Sequence, residues 1–133
     1  MILDHIGIAV KNIESAKKMY ESILQSKTYY EEVLESQKVN VAFFKTGTES
    51  KIELLEGIGP NSPITKFIEK KGEGIHHMAF LVQDIHAEIE RLKKEGFEAL
   101  QESPKIGAAN KLVFFFHPKS VGGSLIELCQ KQD

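Results

Sequence analysis

The sequence predicts an α+β fold in which two βαβββ modules form an eight-stranded open barrel or cleft. Three observations predict it. First, the chain repeats itself: DHIGIAVKNI at 4–13 returns as HHMAFLVQDI at 76–85, an offset of 72. VAFFKTG at 41–47 returns as VFFFHPK at 113–119, again offset by 72, and KIELLE at 51–56 returns as LIELCQ at 125–130, offset by 74. Second, within each copy the apolar period runs in the order strand, helix, strand, strand, strand. Third, GIGPNS at 57–62 breaks the chain between the copies with glycine, proline and asparagine. The modules are expected at about 1–57 and 74–133, joined by a linker with a short helix at 58–73.

Taken in order, Ile2–Val10 alternates as a strand does. Ile6, Ile8 and Val10 share one face, while His5, Gly7 and Ala9 share the other. The imidazole therefore stands among very small side chains, which leaves room beside it. Asn12 is placed to cap a helix over Ile13–Leu24, where Ile13, Ala16, Tyr20 and Leu24 recur at helical spacing and Ser15 and Lys18 face water. Thr28–Leu34 and Val39–Thr46 read as strands around a polar turn at Glu35–Lys38, and Gly47–Ser50 turns into a fourth strand over Lys51–Glu56. Ser62 before Pro63 makes an N-cap and first-turn pair for a helix over Pro63–Lys70, ended by Gly72–Gly74. The second copy then gives a strand over Ile75–Val82 and a helix over Ile85–Glu95, capped by Asp84 and stopped by Gly96. Strands follow over Phe97–Glu102, Leu112–His117 and Ser124–Gln130, with a flexible loop at Ser103–Lys111.

Composition narrows the function classes. With 41% hydrophobic and 27% charged residues, the chain has enough apolar surface to build a core and does not read as disordered. A net charge of −2 with interspersed signs offers no basic stripe for nucleic acid or an anionic membrane. Apolar runs such as LVFFF at 112–116 are too short to span a bilayer, and MILDHIGIAV shows no basic secretory n-region. The single cysteine, Cys129, forms no internal disulfide and suits a reducing compartment. A cytoplasmic protein is expected.

The repeat also duplicates chemistry. Each copy places a His on its first strand (His5, His77) and a Glu on its last (Glu53, Glu127), 48 and 50 residues apart. Both carboxylates fall mid-strand among apolar neighbours, where an uncompensated charge costs several kcal/mol. One divalent cation shared by two imidazoles and two carboxylates would compensate both. Adjacent strand residues face opposite sides, so only one of His76 and His77 points inward, and register with His5 selects His77. His86 falls in a first helical turn facing water. His117, at a strand end before Pro118, suits a ligand contact or a turn, and Cys129 reads as a small buried apolar residue.

Several stretches together resemble a known family. DHIGIAV at 4–10, KIELLE at 51–56, SPI at 62–64 with FIEKKGEGIHHMAF at 67–80, ESPKIGA at 102–108, and FFHPKS at 115–120 with IEL at 126–128 resemble the methylmalonyl-CoA epimerases. These belong to the vicinal oxygen chelate superfamily, alongside glyoxalase I, and the resemblance covers essentially the whole chain. It implies a divalent metal (Co, Mn, Ni or Zn) held by His5, Glu53, His77 and Glu127. It also implies a 1,1-proton transfer at C2 of methylmalonyl-CoA through a metal-stabilised enolate. Inversion is simplest with one base on each face, and Glu127 and Glu53 are the candidates. Some epimerases carry a further Glu on the third strand, whereas Val39–Phe44 has no carboxylate. For the CoA portion, Lys119, Lys105, His117 and backbone amides near Gly107 and Gly122–Gly123 are candidate contacts, and a homodimer is the expected assembly. The same ligands would serve a glyoxalase I-type lyase acting on the methylglyoxal–glutathione hemithioacetal. A binding protein of the superfamily that sequesters drugs generally dispenses with the metal and with part of the ligand set.

Overall fold

The computed structural model describes residues 1–133 apart from the side chain of residue 120. In chain order the elements are β1 (Ile2–Ala9), α1 (Ile13–Leu24), β2 (Tyr30–Leu34), β3 (Val39–Lys45), β4 (Lys51–Gly57), α2 (Pro63–Lys71), β5 (Gly74–Leu81), α3 (Ile85–Lys94), β6 (Lys105–Ile106), β7 (Leu112–Phe116) and β8 (Leu125–Gln130). They pack as two compact units, one of His5–His76 and one of Met1–Asp4 with His77–Asp133. No described helix is long and apolar enough to cross a membrane.

In the His5–His76 unit the strands run in the order β2-β3-β4-β1. β2, β3 and β4 are antiparallel neighbours, and β1 lies parallel to β4 with Gly7 opposite Glu53. One face of this sheet is apolar. Val10, Ala42, Phe44 and Leu54 meet Ile13 and Ala16 of α1, with Ile8, Tyr20, Leu24 and Ile52 packed around them. Burying that face is the main reason the helix holds, since a lone twelve-residue helix is marginal in water. Its start is set locally, because Asn12 Oδ1 accepts from the Ser15 amide at 3.0 Å. α2 begins the same way, with Ser62 Oγ accepting from the Ile64 amide at 3.2 Å and Pro63 in the first turn.

In the other unit the order is β5-β8-β7-β6, with β5 parallel to β8 and the remaining neighbours antiparallel. Its core repeats the first: Val82, Ile85, Ile89, Phe114, Phe116 and Leu128 are buried together. Asp84 caps α3 through the Ala87 amide at 3.1 Å. The duplication extends to polar detail. Glu56 Oε2 accepts from the Ile13 amide in one unit and Gln130 Oε1 from the Ile85 amide in the other. The Val10 amide donates to the Leu55 carbonyl, and the Val82 amide to the Cys129 carbonyl.

The expected strand at Phe97–Glu102 does not form as a ladder. Its first half runs beside β7, with a single bridge between Ala99 and Phe116 and hydrogen bonds from the Leu100 amide to Phe115 and from the His117 amide to Glu98. Phe97 and Ala99 pack on the core, which explains their alternation in the sequence. Beyond Leu100 the side chain of Gln101 takes over. Its Oε1 accepts from the Phe115 amide at 3.1 Å, and its Nε2 donates to the Val113 carbonyl at 3.3 Å. Backbone pairing resumes only at Lys105–Ile106, inside the stretch expected to be a flexible loop. Pro104 sits in the detour, where the absence of an amide hydrogen carries no penalty.

Candidate metal centre and active site

Each unit builds one buried imidazole–carboxylate pair. In the first, His5 and Glu53 come from the parallel strands β1 and β4, and His5 Nε2 lies 3.3 Å from Glu53 Oε1. In the second, His77 and Glu127 come from β5 and β8, and Nε2 to Oε1 is again 3.3 Å. All four are at most 5% exposed, so none is a surface charge solvated by default. The strands explain the fit. Glu53 sits between Gly7 on one side and Phe43 on the other, and Glu127 between Ala79 and Phe115. The small neighbour leaves space for the carboxylate, and the large one screens it from water.

The two phenyl rings have a second contact. Phe43 meets the His5 ring edge-to-face at 5.7 Å, and Phe115 meets the His77 ring likewise at 6.0 Å, both with interplanar angles of 87°. Such packing holds an imidazole in one orientation. Phe43 and Phe115 were absent from the sequence-based candidates, although their offset of 72 carried the signal.

The inward choice of His77 over His76 holds within its strand. His77 reaches Glu127, while the His76 ring packs edge-on against Phe67 of α2 at 4.9 Å. His86 is exposed, as expected. Cys129 is fully buried, and its thiol donates to the Phe80 carbonyl at 3.6 Å. His117 takes the turn role: its Nδ1 accepts from the Lys119 amide at 3.1 Å and caps a 3-10 turn over Pro118–Val121. A neutral ring that accepts at Nδ1 carries its proton on Nε2.

Lys105, on the short strand β6, and Lys119 are both exposed. Gly107 is buried, and a Cβ there would meet Val113 Cγ1 at 3.0 Å, so the backbone lies close against the Val113 side chain of β7. The Gly107 amide donates to the Lys111 carbonyl and the Gly123 amide to the Pro118 carbonyl, both closing their own turns. Sequence reasoning also missed a buried ion pair. Lys111 Nζ lies 3.0 Å from Asp4 Oδ2, with Asp4 1% exposed. It has no counterpart in the repeat, because Val39 stands where the first copy would place a lysine.

Comparison with known proteins places this architecture. Residues 4–115 match the Glyoxalase/Bleomycin resistance protein/Dioxygenase superfamily. The ethylmalonyl-CoA/methylmalonyl-CoA epimerase of Cereibacter sphaeroides is 42% identical over 96% of this chain and 96% of its own. The human mitochondrial methylmalonyl-CoA epimerase is 41% identical over 96% of this chain and 73% of its own. A solved structure of a Streptomyces coelicolor methylmalonyl-CoA epimerase variant in complex with 2-nitronate-propionyl-CoA superposes with a TM-score of 0.92 at 30% identity, covering 100% of this chain and 99% of that one. The chain therefore belongs to the Glyoxalase/Bleomycin resistance protein/Dioxygenase superfamily, and the relatives just described within it are epimerases.

Proposed function

We propose that this chain epimerises methylmalonyl-CoA at C2 by a metal-dependent 1,1-proton transfer, with His5, Glu53, His77 and Glu127 holding one divalent ion. The observation that carries the reading is the duplicated pair, with imidazole nitrogen and carboxylate oxygen 3.3 Å apart in both units. A charge-assisted hydrogen bond between such groups is usually shorter, about 2.7–2.9 Å. Two donors each about 2.1 Å from one ion lie roughly 3.0–3.4 Å apart when the angle between them is near a right or tetrahedral angle. The spacing thus suits two ligands of one ion. The donor chemistry fits as well: His5, His77 and Glu127 each offer a nitrogen or carboxylate oxygen from a buried side chain. Burial of two carboxylates is accounted for when positive charge is shared between them. A divalent ion bound there supplies the charge that stabilises the enolate formed when C2 loses its proton.

The chain's own groups supply the rest. Glu127, ionised, takes the C2 proton from one face while Glu53, carrying a proton, gives it to the other; the reverse direction starts from the opposite protonation, and proton exchange with solvent resets the pair. The edge-on phenyl rings keep both imidazoles and both carboxylates oriented and exclude competing water. Lys105 and Lys119, exposed in the same unit as Glu127, bring positive charge for the CoA phosphates, and the His117 turn fixes where the Lys119 backbone runs.

Incubation of one epimer with the metal-loaded protein in deuterated water tests the reading. Deuterium is expected at C2 together with conversion to the other epimer, and both are lost on chelation and regained with metal. Absence of C2 exchange with metal present overturns it.

A further inference from the structure

We propose that Asp4 and Lys111 form a clamp that holds the 105–111 loop in the shape that receives the acyl-CoA, which makes both of them positioning residues. The inference rests on the function proposed above, since it concerns the same substrate. Four observations carry it. The side chains meet at 3.0 Å, with Asp4 at 1% exposure and Lys111 at 16%, so the pair is shielded from the solvent that weakens surface ion pairs. Lys111 also closes the loop through its backbone: its carbonyl accepts from the Gly107 amide at 2.8 Å, and its amide donates to the Ala108 carbonyl at 3.3 Å.

The loop does not hold this shape by its own preference. Ala109 and Asn110 sit consecutively at φ of +56° and +58°, the left-handed region, which asparagine tolerates but alanine rarely adopts. Something outside the loop must select that conformation. Two ties reach in from outside it: Lys111 Nζ meets Asp4, and Gln132 Nε2 donates to the Asn110 carbonyl at 2.8 Å. Finally, a buried ion pair is a poor source of net stability compared with apolar packing, and its better-attested use is to specify one arrangement. The arrangement specified here is that of the segment carrying Lys105 and Gly107, while Asp4 directly precedes His5 on β1.

The test compares wild type with K111M, which keeps the stem and removes the charge, K111R, which keeps the charge, and D4N/K111M, which removes both charges together. Two readouts are used. In metal-free protein, amide hydrogen exchange over residues 105–111 is expected to speed up about tenfold or more in K111M and in D4N/K111M, with K111R near wild type. In the epimerase assay, KM for the CoA thioester is expected to rise about tenfold in the two uncharged variants, with kcat within about twofold and K111R restoring KM. Because D4N/K111M leaves no buried carboxylate without its partner, it carries the comparison should K111M fold poorly. Exchange in the loop and KM both unchanged in D4N/K111M would overturn the clamp. If wild type shows no C2 exchange, the proposed reaction falls, while loop exchange still decides whether the pair holds the loop.

Discussion

Glu53 and Glu127 occupy equivalent places in the two units, yet inversion at one carbon requires them to act differently. Each is buried, each lies 3.3 Å from its histidine, and each is flanked by a small residue and a phenylalanine. If they serve opposite faces of C2, replacing one leaves the other able to pull its own proton. E53Q and E127Q are therefore both expected to lose epimerisation by roughly 10²–10⁴-fold. Each variant should still exchange the C2 proton of one epimer with deuterated solvent, and the two should differ in which epimer. Proton NMR of each pure epimer with each variant reads this directly. Identical behaviour of both variants toward both epimers would rule out a division of labour by face.

Between α1 and β2, four side chains make a tie that does not depend on the apolar core. Lys17 Nζ reaches Glu31 at 3.0 Å and Glu14 at 3.2 Å, and Thr28 Oγ1 donates to Glu31 at 2.7 Å. The Thr28 hydroxyl, followed by Lys17, holds the Glu31 carboxyl below its usual range, and Glu31 in turn raises Lys17. A lowered carboxylate contributes stability above its unfolded pKa and loses it as pH falls through the folded value. The stability gap between wild type and E31Q, followed by urea unfolding, should be present at neutral pH and close under acidic conditions. It should also be small and sensitive to salt, because the two carboxylates that face Lys17 are exposed. A gap that widens on acidification would contradict the assignment. Helices and their caps were legible at this scale because Asn12, Ser62 and Asp84 act on amides two or three residues away. The strand expected at Phe97–Glu102 was misread because Gln101 substitutes a side-chain amide for backbone pairing, and alternation of apolar residues carries no trace of that exchange.

Across the whole molecule, the repeat is what made the fold and the two histidine–glutamate pairs readable. Offsets of 72 and 74 map His5 onto His77 and Glu53 onto Glu127. Features belonging to one copy alone, such as Lys111 with Asp4 across 107 residues, left no such mark. Because they arise from long-range packing rather than spacing, nothing local announces them. The duplication also yields a prediction by counting. One ion held by both pairs means one divalent ion per chain in titration calorimetry, whereas two separate sites would give two. Ion at about a hundred times its dissociation constant should raise stability by about 2.7 kcal/mol in thermal unfolding. H5A and H77A should each remove most of that gain, and the double variant should add little to either. Two ions per chain, or additive losses, would separate the halves again.

The detour at Gln101 has one more consequence. Beyond it, the outermost ladder of the second unit is only Lys105–Ile106, and Pro104 precedes it. An open rim with a long row of unsatisfied amides invites strands from other molecules and seeds fibrillar assembly. Here the outermost strand is only two residues long, follows a ring with no donor and begins with a lysine. The irregularity that defeats pattern reading thus also gives this margin resistance to self-templated aggregation.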